Sequence, residues 1–260
     1  MSWDWVWGVI PPGFKRMVDG RGGLMVVRED MEPYLTIEQC TMPKGNSAEP
    51  SLVLQGRGRL NALGLPNGDT ALVRPYRHGG ILRHLTGDIF VTWPPRPFRE
   101  LAVTEEIGRR GIPTVEVYGA CVRRMCGPFY RGWLVTRQLQ EGQDLWAAIQ
   151  NDSVREAGIG KVLEAVATSL RGLHREGVYH RDLNIKNILV RRERDGVKGY
   201  IIDFDKATLF LGEVPATLAQ RNLDRLLRSA CKLDPKREYF SDQHWKVFLN
   251  SYHGRTAEEA

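Results

Sequence analysis

The sequence predicts an α+β fold of two lobes, because its hydrophobic pattern changes near residue 140. The first half consists of short apolar runs separated by turn residues, with one well-marked helix. After Asp144 the apolar residues recur at helical spacing instead. We therefore divide the chain into an N-terminal extension with one strand (1–50), a strand-rich N-lobe with one main helix (51–140) and a mostly helical C-lobe (141–260).

The first half has the signals of strands joined by tight turns. One apolar run, residues 23–27, marks the strand of the extension. The strands of the N-lobe are predicted at residues 51–55, 60–65, 70–74, 115–122 and 130–139. Between them, Pro97 suits the first turn of a helix that Gly111 ends.

The second half has the signals of helices and one hairpin. Asp144 is a good cap for a short helix, and residues 160–176 carry apolar positions at helical spacing until Gly177. Two short strands, 188–191 and 199–204, flank a polar turn at 194–196. A further amphipathic helix is predicted at 218–233.

Composition limits the class of protein and its partners. The chain has 37 basic and 31 acidic residues, a net charge of +6 that favours an anionic partner. The four cysteines form no C-x-x-C pair, which predicts reduced thiols. The start lacks the pattern of a signal peptide, and no apolar run is long enough to span a bilayer. We therefore expect a cytoplasmic protein, with peripheral membrane attachment left open.

The densest chemical signal is the segment from His180 to Leu189, which follows the long predicted helix. It has the form of the catalytic loop of protein-kinase-like enzymes, with Asp182 as catalytic base and Asn187 five residues later. Asp203, at the end of the next apolar strand, supplies the anionic oxygen that Mg²⁺ prefers. The alternative is a polar cluster with a purely structural role. The residue identities, their spacing, the preceding helix and the following hairpin nevertheless all agree with a metal-dependent phosphoryl-transfer site.

The nucleotide phosphates need a covering loop and a cation. Gly56, Arg57 and Gly58, between two predicted strands, are the candidates for the loop, although two glycines in a hairpin are often only a turn. Because no lysine occurs between Lys44 and Lys161, the cation must be an arginine. We assign it to Arg74, with Arg77 as the alternative. Its expected helix partner is Glu100, ahead of Glu105.

Taken together, these motifs resemble the bacterial lipopolysaccharide kinase family, and within it the 3-deoxy-D-manno-octulosonic acid (Kdo) kinases. The resemblance extends from about Leu24 to Leu233. It is carried by residues 56–58, 73–80, 96–100, 180–189, 202–205 and 221–229. It implies a protein-kinase-like fold that uses ATP and Mg²⁺.

The resemblance also implies the acceptor and the location. Phosphate would pass from ATP to a Kdo hydroxyl, expected at position 4, on Kdo-lipid A at the cytoplasmic face of the inner membrane. Arg221, Arg225 and Arg228, on one face of the last predicted helix, are candidates for contact with anionic lipid. The alternating tryptophans 3, 5 and 7 are further candidates, although both sets have an ordinary structural explanation.

Three other functions compete with this assignment. A kinase of the same fold acting on core heptose or another small hydroxyl acceptor has the same ATP motifs. A protein kinase is disfavoured, because Asn184 replaces the usual lysine and no Ala-Pro-Glu follows Asp203. A pseudokinase would lack one of the three chemical residues, and nucleic-acid binding has only the net charge in its favour.

Overall fold

The computed structural model describes residues 4–41, 60–77, 88–150 and 158–255, and the side chains from residue 6 onward within them. The chain divides into two compact units. The first comprises residues 1–106 and 116–138, and the second comprises residues 107–115 and 139–260. The chain passes from the first unit to the second for the last time at Gln138–Leu139.

The first unit is built on a six-stranded antiparallel sheet. Its strands are β1 (Phe14–Val18), β2 (Gly23–Arg28), β3 (Asn61–Gly64), β4 (Thr70–Pro75), β5 (Val117–Arg124) and β6 (Tyr130–Arg137). The order across the sheet is β1-β2-β5-β6-β4-β3. Helices α1 (Asp4–Trp7), α2 (Ile37–Thr41) and α3 (Arg96–Arg109) accompany it.

Each face of this sheet has its own hydrophobic core, because successive side chains of a strand point to opposite faces. Val26 of β2 packs with Phe98 and Leu101 of α3 on one face. Its neighbours Met25 and Val27 pack on the other face with residues of α2. The sheet is thus covered on both sides, which fixes α3 and its acidic residues against the central strands.

One strand is predicted in residues 1–50, and the structure has two among the described residues 4–41. β1 pairs with β2 through five residue pairs, from Phe14 with Arg28 to Val18 with Leu24. β1 is an edge strand with alternating burial, and its Lys15 and Arg16 interrupt the apolar run that the sequence analysis required. Trp7 is buried and stacks on Phe98, so this tryptophan is part of the core.

The second unit is mostly helical. Its helices are α4 (Leu145–Gln150), α5 (Ile159–Arg175), α6 (Ala216–Leu233) and α7 (Asp242–His253). Its strands are β7 (Gln143–Asp144), β8 (Val178–Tyr179), β9 (Ile188–Glu193), β10 (Gly196–Ile201) and β11 (Thr208–Leu209). The predicted hairpin is present as β9 and β10, although β10 spans 196–201 instead of 199–204.

Helix α5 ends at Arg175, one residue before the predicted end. Gly177 follows it with φ of 74°, and a Cβ there would lie 2.3 Å from the carbonyl oxygen of Gly212. Gly199 of β10 also leaves little room for a side chain, because a Cβ there would lie 3.1 Å from the Cα of Val166 on α5. β10 therefore packs tightly on α5. This packing holds the hairpin that carries the site. Among the helices of the described residues, none has the length and hydropathy needed to cross a membrane.

Candidate active site

The second unit holds a hydrogen-bonded loop centred on His180 and Asp182. The His180 ring is 1% exposed. Its Nδ1 accepts the backbone N–H of Asp182 at 3.2 Å, so the proton is on Nε2, which donates to the carbonyl oxygen of Ile202 at 3.0 Å. Burial holds the pKa of His180 below its ordinary value, in keeping with a neutral ring. His180 therefore fixes the backbone beside Asp182 and ties the loop to the segment before Asp203.

Two asparagine side chains close the loop around Asp182. The side-chain amides of Asn184 and Asn187 both donate to the carbonyl oxygen of Asp182, at 2.8 and 3.0 Å. Asn184 also accepts the backbone N–H of Lys186 at 3.0 Å and so starts the short 3-10 turn that contains Asn187. The carboxylate of Asp182 is left exposed, as a base that must meet an acceptor hydroxyl requires.

Hairpin register brings Asp203 beside Asn187, although the two are far apart in sequence. Ile188 pairs with Ile201 across β9 and β10, and the N–H of Ile202 donates to the carbonyl oxygen of Asn187 at 3.0 Å. Asp203 then has φ of 70°, a left-handed conformation that is uncommon for a residue other than glycine. This turn ends the strand three residues earlier than predicted, and such backbone outliers concentrate at functional sites.

The donor set at this point suits a hard cation. Because the Asn187 amide nitrogen is bound to the Asp182 carbonyl, its oxygen is the atom left to face a ligand. Asp203 adds a carboxylate. Within the described residues no group of three or more His, Cys, Asp and Glu side chains could hold a metal. Two protein oxygens nevertheless fit Mg²⁺, which keeps waters and takes substrate phosphates as its other ligands.

The first unit contains the ion pair predicted between Arg74 and Glu100. Nη2 of Arg74, on β4, lies 2.6 Å from both carboxylate oxygens of Glu100, on α3. The Glu100 side chain is 1% exposed and that of Arg74 is 32% exposed. Tyr76 donates a further hydrogen bond to the same carboxylate. The buried acid thus fixes the partly exposed guanidinium, while Arg77 is exposed.

Residues 56–58, the predicted phosphate-covering loop, lie outside the described residues. The three α6 arginines of the sequence analysis differ in their surroundings. Arg221 and Arg228 are exposed, whereas Arg225 is half-buried and its Nη1 is buried without a partner in the described chain. Two of the three arginines, Arg221 and Arg228, therefore lie on the surface.

A buried hydrogen-bond chain that the sequence analysis missed supports the loop from behind. The Asn222 amide donates to the carbonyl oxygen of His180 at 2.7 Å, and its oxygen lies 3.0 Å from Nε2 of His174. Nδ1 of His174 lies 2.7 Å from the hydroxyl of Tyr252. Because an amide oxygen only accepts, Nε2–H of His174 donates to Asn222. Nδ1 of His174 then accepts the hydrogen bond of the Tyr252 hydroxyl. Helix α7 is thereby linked to the loop, and no spacing in the sequence indicates it.

Comparisons with known proteins identify relatives of this chain. The model of the Lipopolysaccharide kinase (Kdo/WaaP) family matches residues 48–252. The chain is 32% identical over 189 residues to the 3-deoxy-D-manno-octulosonic acid kinase of Pasteurella multocida (strain Pm70), which covers 71% of this chain and 76% of that protein. It is 34% identical over 219 residues to the enzyme of the same name from Xanthomonas euvesicatoria pv. vesicatoria (strain 85-10), covering 82% of each.

A solved structure, of WaaP in complex with acyl carrier protein, superposes with a TM-score of 0.52 at 21% identity. It covers 79% of this chain and 78% of that one. The likeness confirms the predicted protein-kinase-like α+β fold. With the family match over most of its length, the chain belongs to the lipopolysaccharide kinase (Kdo/WaaP) family.

Proposed function

We propose that this protein transfers the γ-phosphate of ATP to a hydroxyl of Kdo, at position 4, on Kdo-lipid A during synthesis of the lipopolysaccharide core. The observation that carries the proposal is the loop that exposes the Asp182 carboxylate and sets Asn187 beside Asp203. The acceptor is supported by the relatives named 3-deoxy-D-manno-octulosonic acid kinase that match most of the chain. The chemistry is thus that of a phosphotransferase with a hydroxyl acceptor.

Asp182 is the catalytic base. Its carboxylate accepts the proton of the acceptor hydroxyl as that oxygen attacks the γ-phosphorus. The new oxygen–phosphorus bond forms while the bond to the β-phosphate oxygen breaks, and ADP leaves. The loop's hydrogen bonds to the Asp182 carbonyl fix the residue, so little reorganisation is needed at the moment of transfer.

Asn187 and Asp203 are the proposed Mg²⁺ ligands. When bound, the ion neutralises the charge of the β- and γ-phosphates. The residues' own contribution is to hold one amide oxygen and one carboxylate together at the start of β9 and the end of β10.

Arg74 is the proposed cation for the α- and β-phosphates. Its pairing with the buried Glu100 limits the rotamers of the arginine side chain, which is 32% exposed. Gly56, Arg57 and Gly58 are proposed to cover the phosphates with their backbone N–H groups.

The acceptor carries acidic sugars and phosphates on a lipid, and we therefore place the protein at the cytoplasmic face of the inner membrane. The net charge of +6 and the exposed Arg221 and Arg228 of α6 support contact with such anions. The proposal assigns no nucleic-acid partner.

The test compares acceptors with ATP labelled at the γ-phosphate. Kdo-lipid A, lipid A lacking Kdo, heptose and a generic protein are each incubated with the protein and Mg²⁺. Label should appear on Kdo-lipid A, and analysis of the product should place it at position 4 of Kdo. Phosphorylation of the Kdo-free acceptor, or equal transfer to heptose, would replace the Kdo assignment with another acceptor of the same kinase chemistry.

A further inference from the structure

Exposed apolar side chains are concentrated at one end of the sheet of the first unit. Across the described residues, seven large hydrophobic side chains are strongly exposed. Four of the seven lie at this end and are 46–62% exposed: Val18, Val91, Met125 and Phe129. We call these four residues the sheet-end patch. Single exposed apolar residues are ordinary, whereas a group of them marks an interaction surface.

Backbone pairing shows that three members of the sheet-end patch form a row. The N–H of Met125 donates to the carbonyl oxygen of Phe129 at 2.8 Å. Phe90 pairs with Tyr130 in an antiparallel bridge, so Val91 lies opposite Phe129. Opposite residues of an antiparallel pair point to the same face. Val91, Phe129 and Met125 therefore lie side by side across three neighbouring segments.

The fourth member is joined to the row through the turn between β1 and β2. Val18 ends β1, and the N–H of Arg124, just before Met125, donates to the carbonyl oxygen of Gly22 at 2.8 Å. The Asp19 carboxylate accepts the N–H groups of Arg21 and Gly23, both at 2.8 Å, and this fixes the turn. The two turns thus present their apolar side chains at the same edge.

The surface is held rigidly. The indole N–H of Trp93 donates to the carbonyl oxygen of Pro128 at 2.9 Å, and its ring packs on Tyr130 at 5.5 Å between centroids. Thr92 and Tyr130 hydroxyls lie 2.7 Å apart. The segments that carry the sheet-end patch are therefore held in place by hydrogen bonds and ring packing.

The charges around the sheet-end patch are mainly positive. Arg21 and Arg131 are exposed, and neither side chain forms an ion pair with any residue that the structure describes. Asp19, by contrast, is neutralised by Arg123 at 2.9 Å. Asp88, before the bridge at Phe90, is a second acid of this region. Apolar side chains among unpaired arginines are complementary to an anionic lipid surface, where rings and thioethers enter the interface and guanidinium groups meet headgroup phosphates.

We infer that the sheet-end patch docks the protein on anionic bilayers. The inference rests on the proposed function in one respect, since the proposed acceptor is itself a lipid. It names the surface that would hold the enzyme beside that acceptor, at a place other than the α6 arginines or the N-terminal tryptophans.

Cys126, inside the turn that carries the patch, provides the probe. It is exposed, whereas Cys40 and Cys121 are buried and Cys231 is half-buried. The full chain with Cys231→Ser is labelled at Cys126 with an environment-sensitive fluorophore and mixed with phosphatidylcholine vesicles, with and without phosphatidylglycerol. Emission should rise and shift to the blue with the anionic vesicles. No change would overturn the inference.

Substitutions then separate the apolar from the electrostatic contribution to vesicle binding, which is measured by co-sedimentation. Met125→Ser/Phe129→Ser should reduce binding about tenfold or more, because two half-exposed apolar side chains no longer enter the interface. Arg21→Gln/Arg131→Gln should remove mainly the increment due to phosphatidylglycerol. The control Leu211→Ser, which removes a fully exposed leucine of the second unit, should bind as the parent does. Parent-like binding by Met125→Ser/Phe129→Ser would overturn the inference.

A water-soluble acceptor separates this result from the proposed function. Deacylated Kdo-lipid A has no acyl chains, so the patch variants should phosphorylate it at the rate of the parent. Loss of vesicle binding with normal transfer to the soluble acceptor supports the inference. Vesicle binding without transfer to any Kdo acceptor would instead refute the proposed function and leave the docking surface standing.

Discussion

Replacing Arg74 with alanine should reduce both stability and phosphoryl transfer, and the structure allows the two effects to be estimated separately. The change removes contacts of 2.6 Å to both oxygens of a carboxylate that is 1% exposed. Removing one partner of a buried pair costs about 3–5 kcal/mol. Because Arg74 is itself 32% exposed and Tyr76 still donates to Glu100, we expect a loss of about 2–3 kcal/mol in unfolding free energy.

The loss of phosphoryl transfer in Arg74→Ala should be larger than its loss of stability explains. Loss of a preorganised cation at the phosphates lowers kcat/KM for ATP by about 10²–10³. The double variant Arg74→Ala/Glu100→Gln removes the unpaired buried charge, so it should recover about 1–2 kcal/mol of stability without recovering transfer.

Urea unfolding and initial rates at varied ATP measure these two quantities. Arg77→Ala is the matched control, because Arg77 is exposed three residues further along the chain. Its unfolding free energy should change by no more than about 0.5 kcal/mol. The assignment of Arg74 to the phosphates is refuted if Arg77→Ala lowers kcat/KM more than Arg74→Ala does.

Three further predictions concern the second unit. Asp203→Asn should remain folded but lose at least about a hundredfold in transfer rate, since it replaces the anionic metal ligand with a neutral one; an unchanged rate would exclude that role. Asn187→Ala should be milder and partly rescued by high Mg²⁺, and a magnesium titration showing identical curves would contradict it. Burial lowers the pKa of His174 and His180, so the unfolded chain takes up more protons and stability should fall as pH drops below about 6.5. Urea titrations across that range test this, and His174→Gln should flatten the dependence.

Elements with strong local signals could be predicted from the sequence. Helix α5 has six buried apolar residues at helical spacing and a glycine shortly after its end, and the β9–β10 hairpin has a polar turn between apolar runs. Arg74 follows by elimination, because a long stretch of chain offers no lysine, and Glu100 is the acid preferred on the predicted helix. These features can be predicted because they depend on residues close together in sequence or on the absence of one residue type.

The remaining features depend on contacts that sequence spacing does not show. Helix α7 has good end signals, since Ser241 caps it and Gly254 follows it in a left-handed conformation. Its apolar stripe is weak, however, and Phe248 is its buried residue, so the helix was not predicted. The chain from Asn222 through His174 to Tyr252 joins three helices, and its members are related only by the tertiary fold.

Transfer by the Asp182→Asn variant tests the account most directly. The measurement is a single turnover of ATP labelled at the γ-phosphate onto Kdo-lipid A, with nucleotide binding and thermal unfolding measured on the same protein. Asp195→Asn, an identical change in the exposed turn of the β9–β10 hairpin, is the control. We expect Asp182→Asn to bind nucleotide and unfold like the wild type while transfer falls about a thousandfold or more, and Asp195→Asn to react normally. Wild-type transfer by a folded Asp182→Asn protein would contradict the assignment of the catalytic base.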